Sequence, residues 1–224
     1  MAKPRFYAVR RGREKGIFSS WEECKNQVVG FAGAEYKSFS SINDAQDYLD
    51  QTFSGEERPK KKKMSREQKL EYYKNVAENL SKEIPEGKMI AYVDGSFDKE
   101  KNRYSCGCVM ITQGDVSVFS DFGMRPEAVP ARNVAGELTA AMYAVKTAAA
   151  RGIKDITIYH DYSGIAKWYK KEWKAQSFCA ARYLEFMEKY RPYMEISFVK
   201  VEGHSGVPLN EYADMLAKSA LEKE

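Results

Sequence analysis

The stretch AYVDGSF, residues 91–97, ends an apolar run on an aspartate and passes at once to Gly-Ser. Asp-Gly is a common exit from a strand, so the ordinary reading of Asp94 is a turn residue. A carboxylate at the end of a buried strand takes on chemical meaning only when other groups converge on it. The reading of this stretch therefore depends on what the rest of the chain brings to the same place.

Around it the pattern is that of an α/β unit. Three close-spaced apolar runs, MIAYVDGSF, RYSCGCVMIT and VSVFSDFGM, predict an antiparallel meander. A long helix, AGELTAAMYAVKTAAARG, stops at Gly152 and leads into the strand ITIYHD. Helical segments GIAKWYKKEW and FCAARYLEFMEKY precede the strand EISFVKV, and NEYADMLAKSALEK closes the chain as a helix. The order βββαβααβα over residues 89–224 predicts a mixed sheet with helices on its faces.

In that frame four acids fall at matching places. Asp94 ends the first strand, Asp161 ends ITIYHD, Glu137 lies in the first turns of the long helix and Asp214 lies in the last helix. Parallel neighbouring strands bring Asp94 and Asp161 side by side at their carboxyl ends, where open α/β sheets carry their sites. Helices from the two sides add Glu137 and Asp214. Clustered carboxylates repel unless cations neutralise them, and an all-oxygen set suits Mg²⁺ or Mn²⁺ rather than zinc. Such a set is the apparatus of two-metal phosphodiester hydrolysis.

The motifs YVDGS, NVAGELTAA, IYHDY, VKVEGHSG and NEYADMLA resemble, in order, those of the type 1 ribonucleases H. The resemblance implies a ribonuclease H-like fold and cleavage of the RNA strand of an RNA–DNA hybrid, leaving 3′-hydroxyl and 5′-phosphate ends. It implies two Mg²⁺ ions, with Mn²⁺ as a substitute, held by Asp94, Glu137, Asp161 and Asp214. It also implies that His204, in the loop EGHSGVP, aids proton transfer or product departure. Asn133 matches a family position that senses the RNA strand in the minor groove; helix capping is the alternative that its residue type allows. Two departures stand out. The loop after VDGS is FDKEKNRY instead of Gly/Asn/Pro-rich, and the third acid is flanked by His160 and Tyr162 instead of Thr and Ser. Of the two readings of His160, tuning the site or facing the core, its position favours the core.

Upstream, SGEERPKKKKMSREQ, residues 54–68, has almost no large apolar side chains and reads as a basic linker. The segment KLEYYKNVAENLSKEI after it has helical spacing, with Leu70, Tyr73, Ala77 and Leu80 on one face, so residues 54–88 are expected to be a linker with a helix. Residues 1–53 predict a small ββαβα unit, with a Ser41–Asp44 capping box on its last helix. About 50 residues is near the lower limit for a self-stabilised core. FYAVRRGREKGIFSSWEECKNQVVGF and AEYKSF resemble the hybrid-binding, or viroplasmin-like, domain that precedes many such enzymes. By that resemblance Tyr7, Trp21 and Tyr36 pack on the DNA sugars and Lys37 meets a phosphate. Without it, all three aromatics read as core residues.

Charge and composition set the remaining bounds. Residues 1–63 hold 13 Lys/Arg against 9 Asp/Glu, and the rest of the chain balances at 23 of each, so the whole net charge of +4 lies at the N-terminal end. That asymmetry suits a polyanion, and a solvated basic face suits it too. Hydrophobic residues at 43% and charged residues at 30% exclude a disordered chain. Neither a membrane span nor a signal peptide is visible, which leads to a cytoplasmic expectation with no membrane partner and no obligate protein partner evident. The four cysteines lack metal or disulfide spacing. The segment YKKEWKAQSFCAA stands where some relatives carry a long basic protrusion, so grip on the hybrid is expected to fall on the N-terminal unit. Two rivals remain: a non-catalytic RNA–DNA hybrid or double-stranded RNA binding protein that retains the fold, and a retroelement ribonuclease H domain separated from its polymerase.

Overall fold

The computed structural model describes residues 6–39, 42–49, 64–203 and 206–223. The chain divides after Lys63 into two compact units.

The first unit is a three-stranded antiparallel sheet with a helix on each face. Its elements are β1 (Phe6–Arg11), β2 (Gly16–Phe18), α1 (Trp21–Val28), β3 (Glu35–Phe39) and α2 (Ile42–Leu49). β1 is central, between β2 and β3. Alternation along β1 sends Val9 towards Cys24 and Val28 of α1, where all three are buried. Ala8, on the opposite face, is buried like Ala45 of α2. α1 starts at a capping box in which the Ser20 hydroxyl accepts from the Glu23 amide and the Glu23 carboxylate accepts from the Ser20 amide. The box expected at Ser41–Asp44 lies outside the described residues.

The second unit contains α3 (Arg66–Ser81), β4 (Lys88–Asp98), β5 (Arg103–Thr112), β6 (Asp115–Gly123), α4 (Asn133–Ala150), β7 (Asp155–His160), α5 (Gly164–Tyr169), α6 (Phe178–Tyr190), β8 (Glu195–Lys200) and α7 (Pro208–Leu221). Its sheet runs β6-β5-β4-β7-β8, antiparallel from β4 through β6 and parallel from β4 through β7 to β8. Strand periodicity assigns the faces. Met89, Ala91, Val93, Cys106, Cys108, Met110, Ile156 and Ile158 join the core beneath α4, α5 and α6. Tyr92, Val109 and Ile111 join a second core beneath α3 and α7. Full burial of Ile156 and Ile158 contributes on the order of 2 kcal/mol each. All four cysteines are buried and free.

The mixed sheet and the element order agree with the sequence. Two local details differ. α5 stops at Tyr169 instead of running to Trp173, because Lys171 turns into the left-handed region at φ 61° and the Glu172 and Trp173 amides return to the Lys167 carbonyl. The helix expected in the linker runs Arg66–Ser81 and is packed on α7, with Tyr73 stacked on Tyr212 at 5.8 Å. Burial of Tyr73 and Ala77 there makes α3 part of the second unit, which begins at Met64.

Both helices that flank β4 and β5 approach the sheet at backbone distance. A Cβ on Gly95 of β4 would run into the Asn133 carbonyl of α4, and a Cβ on Gly136 of α4 would run into the Ser105 carbonyl of β5. On the other face, a Cβ on Gly107 would strike the Ala213 carbonyl of α7. The expected outcome for Gly136→Ala follows. Alanine favours a helix interior by about 1 kcal/mol over glycine, yet overpacking against fixed backbone costs about 1–3 kcal/mol. Chemical denaturation should therefore register a net loss of stability for a substitution that helix propensity alone predicts to be favourable.

Candidate functional site

The β4–β7 ladder has Tyr92 opposite Tyr159 as its last pair. Two residues further along each strand stand Asp94 and Asp161, so the two carboxylates occupy corresponding positions just beyond the end of the ladder. α4 is held against Gly95, and this brings Glu137 in from the opposite face of the sheet. Ligand oxygens of Asp94, Glu137 and Asp161 all lie within 4.8 Å of one another. They open into a cavity of about 540 Å³ whose wall also includes Asp214, Asn133, Tyr162, Lys99, Arg132 and Lys218.

The acids are set differently. Asp94 is 8% exposed and its Oδ1 accepts from the Gly95 amide at 2.7 Å. Glu137 is 2% exposed; its Oε1 accepts from Asn133 Nδ2 at 3.1 Å, while its buried Oε2 has no hydrogen-bond partner among the described residues. Asp161 lies against Gly203, where a Cβ would stand 2.7 Å from Asp161 Oδ2. Asp214 faces the same cavity from α7 and is paired with Lys218 Nζ at 2.7 Å.

Burial and mutual repulsion raise two of these groups. Burial first, then the neighbouring Asp161 and Asp214 charges, push the Asp94 carboxyl up to about 7. Burial, Asp161 and Asp94 push Glu137 up to about 9. A cluster held in this state is a receptor for positive charge. The donors fit a hard divalent cation: they are carboxylate oxygens only, closely grouped, and one Glu137 oxygen is buried without a hydrogen-bond partner among the described residues.

Asn133 is the first residue of α4, not its cap, and its side chain is committed to Glu137. The cap position belongs to Arg132, which makes no side-chain cap bond and holds a strained backbone at φ 52°, ψ −129°. His204 lies outside the described residues. His160 is buried, as its strand position predicts, with Nδ1 2.9 Å from the Tyr162 carbonyl oxygen. Sequence reasoning missed the cations of the wall. Lys218 had a signal, since it stands four residues after Asp214 on one helix; Arg132 and Lys99 had none.

In the first unit, Tyr7, Trp21 and Tyr36 form one row, with successive ring centroids 5.7 Å apart. Trp21 and Tyr36 are 42% and 45% exposed, which corrects the reading of these aromatics as core; only Tyr7 packs against the small core of Val9, Cys24 and Val28. Lys37 is exposed but alternates to the opposite face of β3, its ammonium 5.7 Å from the Phe39 ring. The structure therefore joins the three rings and leaves Lys37 outside their row. A run of exposed rings on one face marks an interaction surface.

Comparison with known proteins matches each unit. The family described as RNase H matches residues 86–222, and the family described as Ribonuclease H1 N-terminal domain matches residues 5–49. Ribonuclease H1 of Mus musculus is 28% identical over 256 aligned residues, covering 95% of this chain and 88% of that protein. Ribonuclease H of Saccharomyces cerevisiae is 59% identical over 46 residues, covering 20% of this chain and 13% of that protein. Among solved structures, RNase H1 from the halophilic archaeon Halobacterium salinarum superposes with a TM-score of 0.50 at 24% identity, covering 60% of this chain and 98% of that one, a likeness of fold.

The raised carboxyls carry a sign for stability. A carboxyl that folding raises holds its proton in the folded state while the unfolded state has lost it, so stability falls as pH climbs from the unfolded value to the folded one. With chelator present, thermal unfolding should show stability declining between about pH 4 and the folded values of about 7 for Asp94 and about 9 for Glu137. Asp94→Asn, which removes one charge and keeps the shape, should melt higher than the parent at pH 8 and have a shallower pH slope. A flat profile for the parent would contradict the electrostatic picture.

Proposed function

The chain belongs to the ribonuclease H family, and we propose that it is an endoribonuclease that hydrolyses the RNA strand of RNA–DNA hybrids, leaving 3′-hydroxyl and 5′-phosphate ends. The observation that carries the reading is the convergence of Asp94, Glu137 and Asp161 within 4.8 Å at the end of the β4–β7 ladder. Asp94, Glu137, Asp161 and Asp214 would hold the cations, two Mg²⁺ with Mn²⁺ as a substitute. Bound there, such ions supply activation of the attacking water and charge neutralisation at the leaving oxygen.

The chain's own residues set the conditions for that chemistry. Asp94 and Glu137 present desolvated carboxylates, where electrostatic interactions are stronger than in water. Asn133 holds one Glu137 oxygen, so that carboxylate has a fixed orientation. Lys218 shields Asp214 through their ion pair, and its flexible stem can release that carboxylate. Lys99 and Arg132 on the cavity wall supply positive charge for a phosphodiester backbone. His204, by the resemblance of the stretch EGHSGVP to the family's motif, is proposed to assist proton transfer or product departure.

The exposed Tyr7, Trp21 and Tyr36 row supports hybrid binding by the first unit. Rings of this kind stack on sugars and bases without reading sequence, and the wide minor groove of an A-like duplex exposes the 2′-hydroxyls that identify RNA. Lys37 is proposed to contact a phosphate from the other face of its strand.

A labelled RNA strand, presented alone, in RNA–RNA and in RNA–DNA duplexes with Mg²⁺, Mn²⁺ or chelator, tests the activity. Cleavage should be confined to the RNA–DNA duplex, need the cation, and fall by more than about 100-fold in Asp94→Asn. Binding of the hybrid without cleavage under either metal would favour a non-catalytic binding protein instead. Removal of residues 1–63 should weaken hybrid affinity about 10-fold or more while leaving turnover of saturating hybrid nearly unchanged, as loss of uniform binding requires. Unchanged affinity would place the grip in the second unit.

A further inference from the structure

His160 interrupts the pattern of its own strand. β7 buries Ile156 and Ile158 in the core beneath α4 to α6, and His160 continues that face at 1% exposure with its ring edge-on to Phe198. A leucine or isoleucine would serve such a position. The imidazole instead brings two polar atoms into it, and Nε2 is buried without a hydrogen-bond partner among the described residues. A buried unsatisfied acceptor works against stability, so the ring is not explained by packing.

What the ring does make is a bond back onto the main chain. Nδ1 stands 2.9 Å from the Tyr162 carbonyl oxygen, an acceptor only, so Nδ1 carries the proton and donates. The His160 carbonyl accepts from the Val201 amide at 2.9 Å, which anchors the residue before Asp161 to the strand next door. On the other side of Asp161 the Tyr162 carbonyl is anchored by the imidazole and, less closely, by the Ile165 amide at 3.3 Å. The stretch that carries Asp161 is thus pinned on both sides, at the His160 and Tyr162 carbonyls, at the point where regular pairing with β4 has ended. Its carboxylate is further confined by Gly203 on one side.

We infer that His160 is a positioning residue for Asp161: its Nδ1–H clamps the Tyr162 carbonyl and so fixes the direction in which the Asp161 carboxylate enters the cation site. It replaces, with a side chain, the ladder bonds that β7 no longer has at this height. The inference rests on the cation-binding reading of the acid cluster given above. It concerns how that cluster is held, not which residues form it.

The test is Mn²⁺ binding to the full-length, hybrid-free protein, followed by calorimetry, together with thermal unfolding in chelator. His160→Asn places an amide N–H where Nδ1 stands, whereas His160→Gln places one where Nε2 stands, and His160→Leu has no donor. The Asn variant should keep parental Mn²⁺ affinity within about twofold, while Gln and Leu should lose about 10-fold, the scale on which groups that orient a metal ligand act. Leu should melt no lower than the parent, because it removes the orphaned Nε2. Equal affinities for Asn and Gln would overturn the inference, and so would a Leu variant that binds like the parent. If Leu fails to fold, the Asn–Gln comparison still decides. Absence of Mn²⁺ binding by the parent protein would instead overturn the reading of the acid cluster on which the inference stands.

Discussion

The contact on which the rest of this structure depends is the backbone-to-backbone approach of α4 to β4 and β5. Gly95 and Gly136 have no Cβ, so the first turns of the helix settle against the strand carbonyls at a distance no other residue pair allows. Gly107 does the same for α7 on the opposite face. Two helices are thereby drawn onto the same pair of strands from both sides. Glu137 and Asp214 reach the level of Asp94 because the helices that carry them cannot stand off by a side-chain thickness.

That geometry sets the electrostatic character of the second unit. Three carboxylates share a space in which neither water nor protein cations neutralise them fully. The folded chain holds Asp94 and Glu137 protonated well above the ordinary carboxylate range, and it ties Asp214 to Lys218. Arg132 adds a strained backbone at the rim. The desolvated carboxyls and the strained backbone oppose stability, and they lie at one cavity, as expected where a site is kept ready for a ligand. The cores on the two sides of the sheet supply the stability that offsets them.

The first unit solves a different problem with a much smaller core. Val9, Cys24 and Val28 fill the space under α1, and Trp21, the first residue of that helix, is left half in solvent beside Tyr36. The Ser20–Glu23 capping box fixes where α1 begins, and so fixes where Trp21 points its ring. A local hydrogen-bond pattern, not a large apolar core, positions the aromatic surface.

Much of this was legible in the sequence, for reasons that are local. Apolar periodicity named the strands and helices of both units in order, and Asp94 and Asp161 could be set side by side because strand ends are readable and parallel neighbours align them. The extent of α5 was not legible, because Lys171 adopts a left-handed turn that its residue type does not announce. Nor could the sequence reveal that α3 belongs to the second unit, or that Asn133 is bonded to Glu137 instead of capping α4. By itself the sequence determined which residues carry charge, donor atoms and periodicity, since those are properties of single residues and their spacing. Tertiary structure alone decided which of them meet, how deeply they are desolvated, and that the core-facing His160 ring bonds the Tyr162 carbonyl beside Asp161. Those depend on distances between segments remote in sequence, and such distances are set by packing.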